Sequence, residues 1–249
     1  MISWNNLDTL SSYQELLKTK DSLKLSELMA GENGAARVAE YAIPMAAGLT
    51  YHYAAKKVDD AILEKLAALA GEAQLSGKFR ELYNGAVINT GEKRRVLHQL
   101  TRGQLGDPVT ADGVDKRSFY KEQQDKIAVF AGKVHAGEIT NENGEKFTTV
   151  VQIGIGGSDL GPRAIYLALE NWAITHDTLK MKAKFISNVD PDDPVGVLRE
   201  VDLPHALFIV VSKSGTTLET LTNEMFVKDA LEKAGLDASK HMLAVTSET

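Results

Sequence analysis

Two hydrophobic rhythms divide the chain. In the first part, apolar positions recur every three or four residues. Over residues 53–75, Val58, Ile62, Leu66, Leu69 and Ala73 keep this spacing with Lys, Asp and Glu between them, which predicts an amphipathic structural helix. Ser12 and Glu15 have capping-box spacing, and Tyr13, Leu16 and Leu17 give the next turn an apolar face. A further helix is predicted over 116–136, with Ile127, Phe130 and Val134 on one stripe. Between these helices, Lys93, Arg94 and Arg95 read as a solvated helix end rather than a nucleic-acid patch. Residues 104–115, with their glycines, aspartates and Pro108, read as a linker or surface loop, and 138–145 as a turn.

From residue 147 the rhythm changes. Four short apolar runs, 147–153, 181–187, 206–211 and 242–245, alternate with helical periodicity over 164–172, 194–201 and 217–234. Strands that are apolar throughout and alternate with helices indicate a parallel sheet covered on both faces. The expected fold class is therefore α/β. A mostly helical region over 1–110 precedes a doubly wound parallel sheet of flavodoxin-like type over 111–249. Ligands in such sheets bind at the carboxyl ends of the strands.

Composition narrows the chemistry. The 249 residues include no cysteine, which excludes disulfide scaffolds, thiolate metal sites and cysteine nucleophiles. The net charge of −6 gives no whole-chain basic surface for nucleic acid. The N-terminus lacks a basic region followed by an apolar run, and the longest apolar stretch, 42–49, is far too short to span a bilayer. A soluble cytoplasmic protein with no nucleic-acid or membrane partner is the expectation. The six histidines have no metal spacing. Asn188, Asp190, Asp192 and Asp193 read as turn and cap residues rather than metal ligands, so neither metal nor cofactor is expected.

Two loops follow predicted strands. The first is Gly154-Ile155-Gly156-Gly157-Ser158-Asp159-Leu160-Gly161-Pro162. Its glycines let backbone approach a ligand, the following helix offers free N–H groups to an anion, and Pro162 suits that helix's first turn. It is not a dinucleotide fingerprint, because Asp159 stands where the third glycine belongs and its carboxylate would face a pyrophosphate. It lacks the Lys-Ser/Thr ending of a Walker loop, and Leu160 excludes a nucleophile elbow. The second loop, Ser212-Lys213-Ser214-Gly215-Thr216-Thr217, packs four hydroxyls, a glycine and an ammonium group into six residues without a carboxylate. Thr216 and Glu219 have capping-box spacing, so a helix is expected to start there. Such a loop suits a phosphate monoester better than a magnesium nucleotide.

Val151 to Pro162, Phe185 to Asp190 and Val210 to Thr220 resemble the glucose-6-phosphate isomerase family. Asn89, Glu92, Arg94 and Val96-Leu97-His98 match a further family stretch, with departures at Gly91 and Arg95. The resemblance covers about 48–249. It implies a sugar-isomerase (SIS) domain and interconversion of glucose 6-phosphate and fructose 6-phosphate, a step of glycolysis and gluconeogenesis. Proton transfer between C1 and C2 through an enediol needs a general base and donors to the enediol oxygens. By resemblance, Ser212, Lys213, Ser214, Gly215, Thr216 and Thr217 grip the phosphate, and Gly157 and Ser158 contact the sugar. Glu219 orients a catalytic group supplied from elsewhere. The family's catalytic residues fall in a C-terminal half, so none is assigned between Met1 and Thr249. The resemblance further implies a homodimer for the parent enzyme, an incomplete sheet here with an exposed apolar face, and little activity from this part alone. A stand-alone phosphosugar-binding module and a nucleotide-dependent oxidoreductase are the competing readings. The second is disfavoured by Asp159 and by Asn188 at the end of the second strand.

Overall fold

The computed structural model describes residues 2–104 and 106–247. The chain divides into two compact units, Met1–Glu122 and Gln123–Thr249.

The first unit holds α1 (Ser11–Leu17), α2 (Leu25–Leu28), α3 (Gly31–Glu40), β1 (Ala42–Pro44), β2 (Thr50–His52), α4 (Asp60–Glu72) and α5 (Leu75–Tyr83). It ends with β3 (Thr110–Ala111), β4 (Val114–Asp115) and the start of α6 (Lys116–Ala136). The capping box at Ser12 and Glu15 does not form. Glu72, at the end of α4, accepts from the Ser11 and Ser12 N–H groups at 3.2 and 2.8 Å, while Glu15 pairs with Lys18. The helix expected from residue 53 begins only at Asp60, where Asp59 accepts from Ile62 N at 2.8 Å. Residues before it are held open by Arg37. Its buried guanidinium donates to the carbonyls of Ala54, Lys56 and Val58 at 2.8, 3.0 and 2.6 Å, which ties three points of the segment to one planar group.

Lys93 to Arg95 is not a helix end. Asn89 and Arg94 exchange both backbone hydrogen bonds around a tight turn, and Leu97 then joins Leu100 and Val109 in a small core. The expected loop at 104–115 contains the β3–β4 hairpin, although Leu105 lies outside the described residues. The start of α6 is tied to this core: Lys116 N donates to Val109 O, Arg117 donates to Leu100 O, and Tyr120 packs on the cluster. The division between units accordingly falls after Glu122, inside the helix.

The second unit is a parallel four-stranded sheet with crossover helices. In chain order these are β5 (Thr149–Ile153), α7 (Gly157–Thr175), β6 (Lys182–Ile186), α8 (Asp192–Arg199), β7 (Ala206–Val211), α9 (Leu218–Lys233), α10 (Ala238–His241) and β8 (Met242–Val245). The spatial order is β6-β5-β7-β8. The chain leaves β5 toward β6 and returns past it to β7, so the topological switch point lies between β5 and β7. One sheet face is sealed: Val151, Ile153, Phe208 and Val210 pack with Val227 and Leu231 of α9, and Val197 and Leu198 of α8 close the edge. The other face is only partly covered. Val134 of α6 packs on Phe147 and Leu207, but Ile127 and Phe130 on the same stripe are 62% and 39% exposed. They line an open apolar groove with Val150, Ile209 and Leu243.

At the amino ends of β7 and β8 a polar latch replaces apolar packing. The buried His241 ring lies 2.8 Å from both the Ala206 carbonyl and Glu142 Oε2, and Asp237 N donates to Glu142 Oε1 at 3.2 Å. Glu142's own backbone N–H, the His241 ring and the Asp237 N–H hold its carboxyl below the usual carboxylate range, against a smaller opposing effect of burial. A carboxylate depressed in the folded state stabilises above its unfolded pKa of about 4.5 and loses that contribution as pH falls. Glu142→Gln is therefore expected to lower stability at pH 7 and to flatten the acid limb of the unfolding curve. Urea midpoints measured from pH 7 down to pH 3 test this.

Candidate functional site

The two loops leave neighbouring strands. Ile153 of β5 pairs with Val210 of β7, so the chain enters both loops side by side at the carboxyl edge, at the switch point. The first turns sharply at Gly156, whose φ of 59° and ψ of −119° are open essentially to glycine alone. α7 then begins at Gly157, one turn earlier than Pro162 suggests. Pro162 therefore lies inside the helix, where it has no N–H to give the Ser158 carbonyl. Gln152 supplies the missing donor: its Nε2 reaches Ser158 O at 2.9 Å. The orphaned carbonyl is thereby satisfied and Ser158 is tied to β5. Gly156 and Gly157 are exposed and Ser158 half-buried at the strand end.

Gly154 is required by closeness rather than by dihedral angle. A Cβ there would sit 3.1 Å from both Ser158 Cβ and Ser158 O. Gly154→Ala is expected to push the Ser158 turn outward, at a cost of about 1–3 kcal/mol. Urea denaturation checks this.

Asp159 does not face outward into the loop. It is 3% exposed and paired with Arg163, whose Nε and Nη2 lie 3.0 and 2.9 Å from Oδ1. The charge that the sequence sets against an anion is turned into the protein and neutralised. Asn188, Asp190, Asp192 and Asp193 hold the turns between β6 and α8, as expected, but none of them caps the helix, whose N-cap is Pro191 without a side-chain bond. Asp193 Oδ2 accepts from the Ser187 and Asn188 N–H groups, both at 2.8 Å, and Asn188 and Asp190 close successive turns. Among the described residues no acidic or histidine cluster could hold a metal ion.

In the second loop, buried Ser212 is the organiser. Its Oγ accepts from Gly215 N at 3.1 Å and donates to Thr217 Oγ1 at 3.2 Å. Ser212 N bonds Val245 O, and Lys213 O accepts from Ser247 N, so the loop is sewn to the end of β8. Lys213, Ser214, Gly215 and Thr216 are exposed. The capping box expected at Thr216 and Glu219 is absent, because Thr216 Oγ1 donates to Ser214 Oγ at 3.0 Å; Thr217 stands as N-cap without a side-chain cap bond. The start of α9 therefore keeps N–H groups unpaired within the helix beside a loop of hydroxyls, an arrangement suited to an oxyanion. Glu219 lies exposed in the first turn of α9.

A model of the phosphoglucose isomerase family matches residues 52–249. The chain belongs to that family. Curated phosphoglucose isomerase relatives, named glucose-6-phosphate isomerase, align over essentially the whole chain. That of Treponema denticola is 54% identical over 252 residues, covering 100% of this chain and 47% of its own length. That of Borreliella afzelii is 40% identical, covering 99% and 46%. The crystal structure of a glucose-6-phosphate isomerase from Chlamydia trachomatis matches with a TM-score of 0.74 at 33% identity, covering 98% of this chain and 46% of that one. The chain thus spans about half the length of the relatives it matches. Residues 1–47, which the family model does not match, are included in these alignments. Sequence reasoning assigned no role to Gln152, Arg163, Ser187 and Asn223, which support the loops; Gln152 and Ser187 lie within the stretches that resemble the family, and Arg163 and Asn223 lie outside them. Of these, only Arg163 had a readable signal, its i,i+4 spacing of opposite charge from Asp159.

Proposed function

We propose that this chain is the N-terminal part of an aldose–ketose isomerase that interconverts glucose 6-phosphate and fructose 6-phosphate, and that this part supplies the phosphosugar-binding loops. The observation that carries the reading is the placement of the Gly157–Ser158 turn and the Ser212–Thr217 loop on adjacent parallel strands at the switch point. Ser212, Lys213, Ser214, Gly215, Thr216 and Thr217 hold the phosphate, through hydroxyls, backbone N–H groups and one ammonium. Gly157 and Ser158 meet the sugar. The base that moves the proton between C1 and C2 comes from the half of the family's length that this chain does not span, with Glu219 orienting a group there. The parent enzyme works as a homodimer in the cytoplasm; among the described residues, no helix is long and apolar enough to cross a membrane.

The test is a chimera joining this sequence to the remaining half of the Treponema denticola relative, assayed for formation of glucose 6-phosphate from fructose 6-phosphate. The chimera is expected to turn over and the 249-residue chain alone is not. Robust turnover by the chain alone would overturn the division of labour.

A further inference from the structure

A polar network ties the first loop to the end of β6, which is in turn bonded to α9. Asp159 follows Ser158 directly and is buried in the first turn of α7. Arg163, one turn on, grips Asp159 Oδ1 with two guanidinium nitrogens and donates from Nη2 to Ser187 Oγ at 2.8 Å. Its Cζ lies 4.9 Å over the Phe185 ring. Ser187 follows the last residue of β6, and the next carbonyl, of Asn188, accepts from Asn223 Nδ2 at 2.9 Å. Asn223 is 2% exposed on α9, the helix that opens at the second loop. A buried carboxylate stripped of its guanidinium is an uncompensated charge, so Asp159 and Arg163 hold together as a unit. The guanidinium is a rigid planar fork, which fixes direction as well as distance. Stacked on Phe185 and bonded to Ser187, it pins the first turn of α7 to the end of β6.

We propose that Arg163 is a positioning residue for sugar recognition. Without touching the ligand, it sets Gly157 and Ser158 at the distance from the 212–217 loop that a sugar phosphate spans. The inference rests on the phosphosugar reading above. It separates two contributions: the second loop binds phosphate by itself, and Arg163 governs only what is gained from the sugar.

The test uses the ¹⁵N-labelled 249-residue chain as wild type, Arg163→Met, Arg163→Lys and Ser187→Ala, each titrated with inorganic phosphate and with fructose 6-phosphate. Arg163→Met is expected to weaken fructose 6-phosphate binding about tenfold and inorganic phosphate binding less than about twofold. Arg163→Lys restores part of the difference. The amide resonances of Gly156, Gly157 and Ser158 move, and those of Lys213 to Thr216 stay in place. Should Arg163→Met fail to fold, Ser187→Ala keeps the Asp159–Arg163 pair and is expected to give the same pattern in weaker form. Equal losses for the two ligands, or unchanged discrimination between them, would overturn the proposal while leaving the phosphosugar reading intact. Binding of neither ligand by the wild-type chain would overturn both.

Discussion

Phe208→Ala is expected to destabilise the second unit by about 3–5 kcal/mol, the range for deleting most of a fully buried aromatic side chain. Phe208 is completely inaccessible on β7, which lies between β5 and β8, and it belongs to the cluster formed with Val151, Ile153, Val227 and Leu231. No neighbour can fill the cavity without moving a strand or α9, and α9 opens at the 212–217 loop. A loss of this size is a large fraction of the stability of a domain, so phosphate binding is expected to fall with it. The contrasting change is Ile209→Ala, one residue along. Ile209 faces the open groove, where water already reaches the lining, and its truncation is expected to cost about 1 kcal/mol. Urea unfolding of the two variants measures the asymmetry. Equal costs would mean that the two faces are equally covered.

Ser212→Ala is expected to lower affinity for sugar phosphate by about 10- to 100-fold, the equivalent of losing a buried hydrogen-bonding group worth about 1–3 kcal/mol. The hydroxyl is nearly inaccessible and ties the loop across itself, from Gly215 N on one side to Thr217 Oγ1 on the other. After truncation Gly215 N retains only the longer contact to Ser212 O at 3.3 Å. The donors that would converge on a phosphate then lose their common support. Thr216→Ala, on the exposed rim of the same loop, removes only an outer hydroxyl and is expected to weaken binding a few-fold. Calorimetric titration with fructose 6-phosphate checks the ranking. A larger effect at Thr216 than at Ser212 would place the organising contact elsewhere.

The sequence was most legible where local pattern and long-range packing demand the same thing. The bounds of β7, β8 and α6 coincide with runs that are apolar throughout or periodic at 3.6, and in β7 the side chains that set the local preference also meet the core. The two loops were legible for a related reason: glycines and hydroxyls cluster in both, where strands hand over to helices. Failures arose where a partner distant in sequence takes over a local role. Glu72 caps α1 from some sixty residues away, so the local Ser12–Glu15 box loses. Arg37 binds three carbonyls of the open segment before α4, and nothing in the spacing of Val58 and Ile62 announces this. Pro162 suggests its usual place in a first turn, yet Gln152 makes an interior position tolerable. At the second loop, Ser214 claims the Thr216 hydroxyl that the capping box would have used. The open groove beside Ile127 and Phe130 shows the same limit from the other side. A stripe of helical spacing indicates which face seeks cover, and tertiary structure decides what provides it.

The central claim is that two loops on adjacent strands form one phosphosugar site. Its most direct test is a titration of the ¹⁵N-labelled chain with fructose 6-phosphate, followed by amide chemical shifts. The account predicts saturable perturbation of Gly157 and Ser158 together with Ser212 to Thr217, at one common affinity, while the strand interiors stay fixed. Perturbation of either loop without the other, or of the apolar groove lined by Ile127, Phe130 and Leu243 instead, would contradict it.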